Sequence, residues 1–251
     1  MRPPVAIAFL HGGKQGSWIW DEVRAAIALQ AGPDAPETLT LDVPGCGTKR
    51  GRDVASLALG DVVEELADDL AASGRRLILV GHSQAGTVLP RLAAARRDQV
   101  AKLVYLTCSV PEEGQTLAAM LGTGLQGTND AEIGWPLDPA THSPDQLFAE
   151  MFCNDMDDAE RDAFLGRLGG DDWPAACAVT DTQWGCAAVR DIPARYVIAL
   201  RDTILTPPWQ ERFAARLNAA SITRVDAGHQ LLQTRPQAVA EILLAEVKDT
   251  L

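Results

Sequence analysis

A chain of 251 residues, 47% of them apolar, can bury one substantial core and needs no second independent domain. Its formal charge of -12 sets it against nucleic acid and anionic membrane as partners, which would have to approach against long-range repulsion, and leaves small neutral or apolar ligands as the expected class. Five cysteines (Cys46, Cys108, Cys153, Cys177 and Cys186), odd in number and without a C-x-x-C pair or a Cys/His cluster of zinc spacing, predict a reduced, cytoplasmic protein with no metal.

The first apolar run, "VAIAFL" (5–10), is too short to span a membrane and leads straight into "HGG" without a small-residue cleavage site, so it reads as a strand and not as a leader. A three-to-four spacing of apolar residues then predicts a helix over 17–29. The strand "TLTLD" (38–42) and a helix over 56–74 follow. Next comes the run "LILVG" (77–81), which passes through a small-residue corner into a helix over 85–97, and then the strand "KLVYLT" (102–107). After roughly residue 112 the rhythm stops. It resumes with "RYVIAL" (195–200), a helix over 207–220 opened by Pro207 and Pro208, "ITRVD" (222–226), and a helix over 235–251 opened by Pro236. Short apolar runs without polar alternation suit strands buried on both faces. Strand alternating with helix therefore predicts an α/β fold with a mainly parallel six-stranded sheet and helices on both faces.

Residues 112–190 hold helical segments near 145–152 and 157–168 and no convincing strand. A structureless loop of this length is unusual in a compact domain, so the segment is expected to be an inserted cap over the strand ends. Of its Trp135, Phe148, Met151, Phe152, Trp173 and Trp184, most are expected to close a small core of the cap itself, with one or two facing a ligand.

Ser83 lies at the strand-to-helix corner "GHSQAG", with Gly81 two residues before it, Ala85 two residues after, and Gly86 following. Small neighbours at those positions let strand and helix approach while a strained backbone lifts the central hydroxyl outward. Serine is a weak nucleophile and needs a base. Of the four histidines, His82 is adjacent on the corner and points away, His11 is placed to brace the loop after the first strand, and His142 belongs to an exposed part of the cap. His229 in "VDAGHQLLQ" follows the last strand and reaches the same sheet edge as Ser83. An acid that fixes the imidazole tautomer is expected after the penultimate strand, where Asp202 stands in "LRDTILTP"; Asp181 and Asp191 fall too early and Asp226 still belongs to the last strand. Backbone donors for a developing oxyanion are expected from Gln84, at the helix start, and Gly13 in "HGGKQG". That glycine loop lacks the spacing of a phosphate-binding loop. Cys108, leaving a strand at the same edge, is expected as pocket wall or core. Gly12, Cys108, Trp135 and Phe152 are the expected pocket residues.

The corner, "HGGKQGSWIW", "LDVPGCG", "LRDTILTP" and "AGHQLLQTRPQAVAEIL" together resemble the α/β-hydrolase superfamily, in its branch of plant methylesterases, hydroxynitrile lyases and bacterial carboxylesterases. The resemblance implies a hydrolase core over 1–111 and 191–251 with the cap at 112–190, a Ser83–His229–Asp202 triad, oxyanion donors at Gly13 and Gln84, and no cofactor. It also makes a homodimer an expected assembly. The lyases of that branch carry threonine and lysine where this chain has Gly12 and Gln230, so hydrolysis is expected in place of cyanohydrin cleavage. The expected function is a serine carboxylesterase acting on small apolar esters. A lactone, thioester or carbon–carbon hydrolase, and a slow ligand-binding member of the fold, stay open as alternatives.

Overall fold

Residues 5–250 are described by the computed structural model. The six apolar runs form six strands, β1 (Val5–Leu10), β2 (Thr38–Leu41), β3 (Arg76–His82), β4 (Val100–Leu106), β5 (Ala194–Ala199) and β6 (Ser221–Val225). They pair in the order β2-β1-β3-β4-β5-β6, every pair parallel. Central strands β1 and β3 are buried along nearly their whole length because both faces are covered, whereas edge strand β6 alternates between half-buried and exposed residues.

Helices α1 (Asp21–Ala31), α9 (Leu231–Thr234) and α10 (Pro236–Thr250) pack with Ile7, Phe9, Ile78, Val80 and Val104 on one face. The opposite face, through Ala8, Leu79, Leu103 and Tyr105, carries α2 (Leu59–Ala71), α3 (Leu89–Ala95) and α8 (Pro207–Arg216). Among the described residues no helix is long and apolar enough to cross a membrane, and no group of three or more His, Cys, Asp or Glu side chains is placed to hold a metal.

Among the helices that differ from their expected bounds, three do so for local reasons. At α2 the Asp61 carboxylate accepts the Ala58 N–H at 2.8 Å, so the helix starts at Leu59. The chain after Ser83 first makes a 3₁₀ turn (Ser83–Thr87), and α3 begins at Leu89, with Pro90 in its first turn. Asn218, at φ 50°, ends α8 early.

Between β4 and β5 run α4 (Leu117–Leu121), α5 (Pro144–Cys153), α6 (Asp158–Leu165) and α7 (Ala176–Val179). The aromatic residues of this segment divide differently from expectation. Phe148, Met151, Phe152 and Phe164 form a small local cluster. Trp173 and Trp184 instead join the main core with Leu117, Met120 and Cys177, where burying each indole contributes about 2–3 kcal/mol. Trp184 is held there by donating its indole N–H to the carbonyls of Glu112 and Gln115.

A row of paired residues, Leu10, Gly81, Tyr105, Tyr196 and Ile222, crosses the sheet, at the carboxyl ends of β1, β3 and β4 and nearer the starts of β5 and β6. After β1 the chain goes to β2 on one side, and β3 lies on the other, so the loops after β1 and β3 part at a crevice. His11–Lys14 and Ser83 leave the sheet at that crevice.

Candidate active site

Ser83 follows directly on β3, half-buried, with φ 54°. A non-glycine residue in the left-handed region costs about 1–3 kcal/mol and persists only where the surroundings impose it. Here the imposition comes from both sides. A side chain at Gly81 would meet Leu89 at 2.7 Å and Ala85 at 3.0 Å, so the packing of turn on strand leaves no room for one. The Ser83 carbonyl is fixed by the Ser109 N–H at 2.9 Å.

The loop after β1 presses against this corner. A Cβ on Gly12 would stand 2.8 Å from the Ser83 Cβ, and one on Gly13 would stand 2.4 Å from the Gln84 amide oxygen. His11 braces the loop as expected: its buried ring accepts the Val43 N–H at Nε2 (3.1 Å) and donates from Nδ1 to the Gly12 carbonyl (2.8 Å). Burial holds the His11 pKa below its ordinary value and keeps the ring neutral, which that bonding pattern requires. Trp173 adds its indole N–H to the same Gly12 carbonyl at 3.1 Å. With that carbonyl tied back, the Gly13 N–H meets no protein acceptor among the described residues.

His229 and Asp202, 27 residues apart in the chain, meet at 2.7 Å between Nδ1 and Oδ2, and both side chains are fully buried. A buried carboxylate needs several donors to stay charged. Asp202 has four: the amides of Ile204 (2.8 Å) and Leu205 (2.9 Å) on Oδ1, and Gln210 Nε2 (3.1 Å) and His229 Nδ1 on Oδ2. Nδ1–H donation leaves His229 Nε2 as the basic nitrogen, and Nε2 is buried without a partner among the described residues. No hydrogen bond joins it to the Ser83 hydroxyl in this structure. The remaining aspartates that were weighed are engaged elsewhere: Asp181 caps Leu59, Asp191 pairs with Arg97, and Asp226 pairs with Arg201.

His82 does more than fill the turn. Its Nε2–H donates to the His229 carbonyl at 2.9 Å, and the two rings lie 4.8 Å apart. Burial, reinforced by the neighbouring His229 ring, pushes the His82 pKa well below its ordinary value. Gln210 is the residue that motif spacing missed. Fully buried on α8, it accepts the Ala199 N–H at 3.1 Å and donates to the Leu205 carbonyl at 2.6 Å as well as to Asp202. Its only trace in the sequence is one amide on an otherwise apolar helix face beside Trp209, Phe213 and Ala214.

Of the expected pocket residues, Phe152 is buried with its ring 5.9 Å from the His229 ring. Gly12 lies against Ser83 as described. Cys108 takes the core alternative and not the pocket wall: it is fully buried, its thiol donates to the Gly81 carbonyl, and burial drives its pKa far up. Trp135 is half-buried on an isolated bridge with Leu125, with no hydrogen bond or ring contact to Ser83, Asp202 or His229 among the described residues. His142, expected to be exposed, is half-buried. Gly13 and Gln84 line a cleft of about 610 Å³ with apolar walls from Val54, Ala55, Trp173, Pro174, Ala178 and Val179. Lys14, at φ 61°, pairs with Asp172 at 2.7 Å on its exposed side. Neither this cleft, which adjoins Ser83 through Gln84, nor a second groove of about 650 Å³ lined by Arg24, Arg50 and Arg167 is lined by Ser83, Asp202 or His229 themselves.

Residues 7–242 match the family model described as the alpha/beta hydrolase family. A probable esterase of rice, Oryza sativa subsp. indica, is 33% identical over 115 residues, 45% of this chain and 42% of that protein, so the match spans less than half of its length. A pyrethroid hydrolase of Sphingobium wenxiniae is 24% identical over 250 residues, 94% of this chain and 85% of that protein. Among solved structures, an extracellular α/β-hydrolase from a Paenibacillus species, described as homologous in structure and function to tobacco salicylic acid binding protein 2, superposes with a TM-score of 0.76 at 18% identity, covering 96% of this chain and 98% of that one. A methylesterase from Arabidopsis gives a TM-score of 0.73 at 16% identity over 97% of this chain and 99% of its own.

Proposed function

This chain belongs to the alpha/beta hydrolase family, and from that premise we propose that it cleaves carboxylic esters of small apolar substrates through a serine acyl-enzyme. The observation that carries the reading is the buried His229–Asp202 pair, whose free Nε2 sits on a residue tied by its own carbonyl to the corner that bears Ser83. Esterases and hydrolases among the relatives support the reaction class. In the proposed cycle the Ser83 hydroxyl swings to Nε2, gives up its proton and attacks the ester carbonyl. Asp202 stabilises the imidazolium, the N–H groups of Gly13 and Gln84 receive the oxyanion, and His229 returns the proton to the departing alkoxide. Water activated by the same Nε2 then releases the acid. Each step balances without a cofactor.

The cleft beside Gly13 and Gln84, apolar along Val54, Trp173, Pro174 and Val179 and charged at Lys14, Arg52, Asp53 and Asp172, supports an apolar acyl or alcohol group on its apolar wall, and its volume of about 610 Å³ suits a small molecule. The five cysteines are unpaired, which fits a reducing cytoplasm, and the net charge of -12 fits neutral substrates in place of polyanions or anionic membranes. The assembly proposed is a homodimer, read by light scattering.

A burst of p-nitrophenol from p-nitrophenyl acetate, stoichiometric with protein and absent in Ser83→Ala, is the expected result, together with a mass shift on Ser83 from a serine-directed phosphonate. A wild type that releases no more p-nitrophenol than the variant would move the protein to the ligand-binding reading. The same scaffold serves lactones, thioesters and carbon–carbon bonds, and a substrate panel ranks these against esters.

A further inference from the structure

The residues that close α5 reach the loops of both His229 and Asp202. Asp155 is the centre of this contact. Its side chain is 1% exposed, and its Oδ2 accepts the Gly228 N–H at 2.8 Å and the Thr234 hydroxyl at 2.9 Å. Asn154 Nδ2 donates to the Arg201 carbonyl at 2.7 Å, and the Thr203 hydroxyl donates to the Glu150 carbonyl at 2.7 Å, so the two neighbours of Asp202 in the chain are held by the same stretch. The approach is close enough that a Cβ on Gly228 would lie 2.2 Å from Asn154 Oδ1 and 2.6 Å from Asp155 Oδ1.

Backbone groups on either side of the base are therefore held by different elements. Asp155 takes the N–H of Gly228, and His82 donates to the C=O of His229. The Ala227–Gly228 and His229–Gln230 peptides that flank the base are thus each held at one end, which restricts the His229 backbone and with it the Cα–Cβ direction from which the imidazole projects. The second carboxylate oxygen, Oδ1, is buried without a hydrogen-bond partner among the described residues. The charge of Asp155 is met by the Arg201 guanidinium, 3.8 Å from Oδ2, on the residue next to Asp202, so the carboxylate bridges the chain segments that carry His229 and Asp202.

We propose that Asp155 is a positioning residue for the catalytic base: its carboxylate clamps the Gly228 peptide and so aims His229 Nε2, making the docking of residues 150–155 a condition of activity. It touches no reacting atom and acts through His229. A misdirection of the base by a fraction of an ångström lowers turnover without altering ground-state binding.

The kinetic part rests on the esterase reading, and a spectroscopic part does not. Asp155→Ala is expected to lower kcat on p-nitrophenyl acetate by roughly 10- to 100-fold with KM changed less than about threefold. Its low-field proton resonance from the His229 Nδ1–H, sharp in the wild type, broadens or shifts. Asp155→Asn keeps an acceptor for both donors, so it retains kcat within about threefold together with the resonance. An unchanged kcat and resonance in Asp155→Ala would overturn the proposal. So would a fall in kcat matched by an equal loss of folded protein, a change confined to KM, or an Asp155→Asn as impaired as the alanine variant. If the wild type hydrolyses no ester, the esterase reading fails, and the resonance alone decides the role of Asp155.

Discussion

His82 donates its Nε2–H to the carbonyl of His229 at 2.9 Å, so the residue next to Ser83 holds the backbone of the residue proposed to deprotonate it. The bond needs the Nε2–H tautomer in either charge state, and burial keeps the ring neutral by pushing its pKa well below 6.5. His11 is likewise buried with a lowered pKa. In the unfolded chain both rings protonate near pH 6.5, so below that pH the unfolded state binds more protons and stability falls as pH falls. The loss is about 1.4 kcal/mol per pH unit for each ring until its folded pKa is reached. Thermal unfolding followed from pH 7.5 to 5 is expected to show this slope, with His82→Phe reducing it by about one proton. An unaltered slope in that variant would assign the effect to other groups.

Ser83 at φ 54° stores backbone strain that glycine would not feel. Ser83→Gly is expected to raise the unfolding free energy by about 1 kcal/mol while abolishing turnover, and Ser83→Ala to abolish turnover without the gain. Denaturant melts of the two variants beside the wild type check this. A glycine variant no more stable than the alanine variant would remove strain from the description of the corner.

Much of the architecture was legible because each strand of the sheet's interior is a short unbroken apolar run, and because the order Ser83, Asp202, His229 follows from which strand each residue leaves. Distance along the chain carries no information about layer, so Trp173 and Trp184 could be placed in the inserted segment but not in the main core. Nor could spacing reveal Gln210, since it serves Asp202 by lying across a helix turn from Leu205, a relationship created only when α8 packs on β5. His82 was legible as structural, but its partner was not, because the His229 carbonyl reaches it from 147 residues away.

Gln210 yields the third prediction. Replacing it with leucine removes a donor from Asp202 Oδ2 and leaves the Leu205 carbonyl and the Ala199 N–H unpaired in the core. Each orphaned buried group costs about 1–3 kcal/mol, and the loosened carboxylate no longer fixes the imidazole tautomer firmly. Gln210→Leu is expected to lose about 2–4 kcal/mol of stability and roughly tenfold in kcat. Gln210→Glu should be worse in kcat, because it sets a second carboxylate against Asp202 in a buried site. Steady-state kinetics and chemical denaturation of both variants separate the two effects.

Gly12 and Gly13 are adjacent, yet the structure predicts opposite tolerance. A methyl on Gly12 would meet the Ser83 Cβ at 2.8 Å, with His82 Nδ1 and Gln15 Oε1 each at 3.2 Å, all fixed by packing around the corner. Relief would require the loop to retreat from Ser83, breaking the Trp173 bond to the Gly12 carbonyl and moving the Gly13 N–H away from the proposed oxyanion position. At Gly13 the obstacle is the end of the Gln84 side chain, which can rotate into the adjoining cleft at little cost. Gly12→Ala is therefore expected to lose roughly 100-fold or more in kcat, the scale of a lost oxyanion donor, while Gly13→Ala stays within about threefold. The test is kcat for both variants on one ester. Equal loss in the two would mean that close approach of the loop to Ser83 is not what aligns the backbone donors.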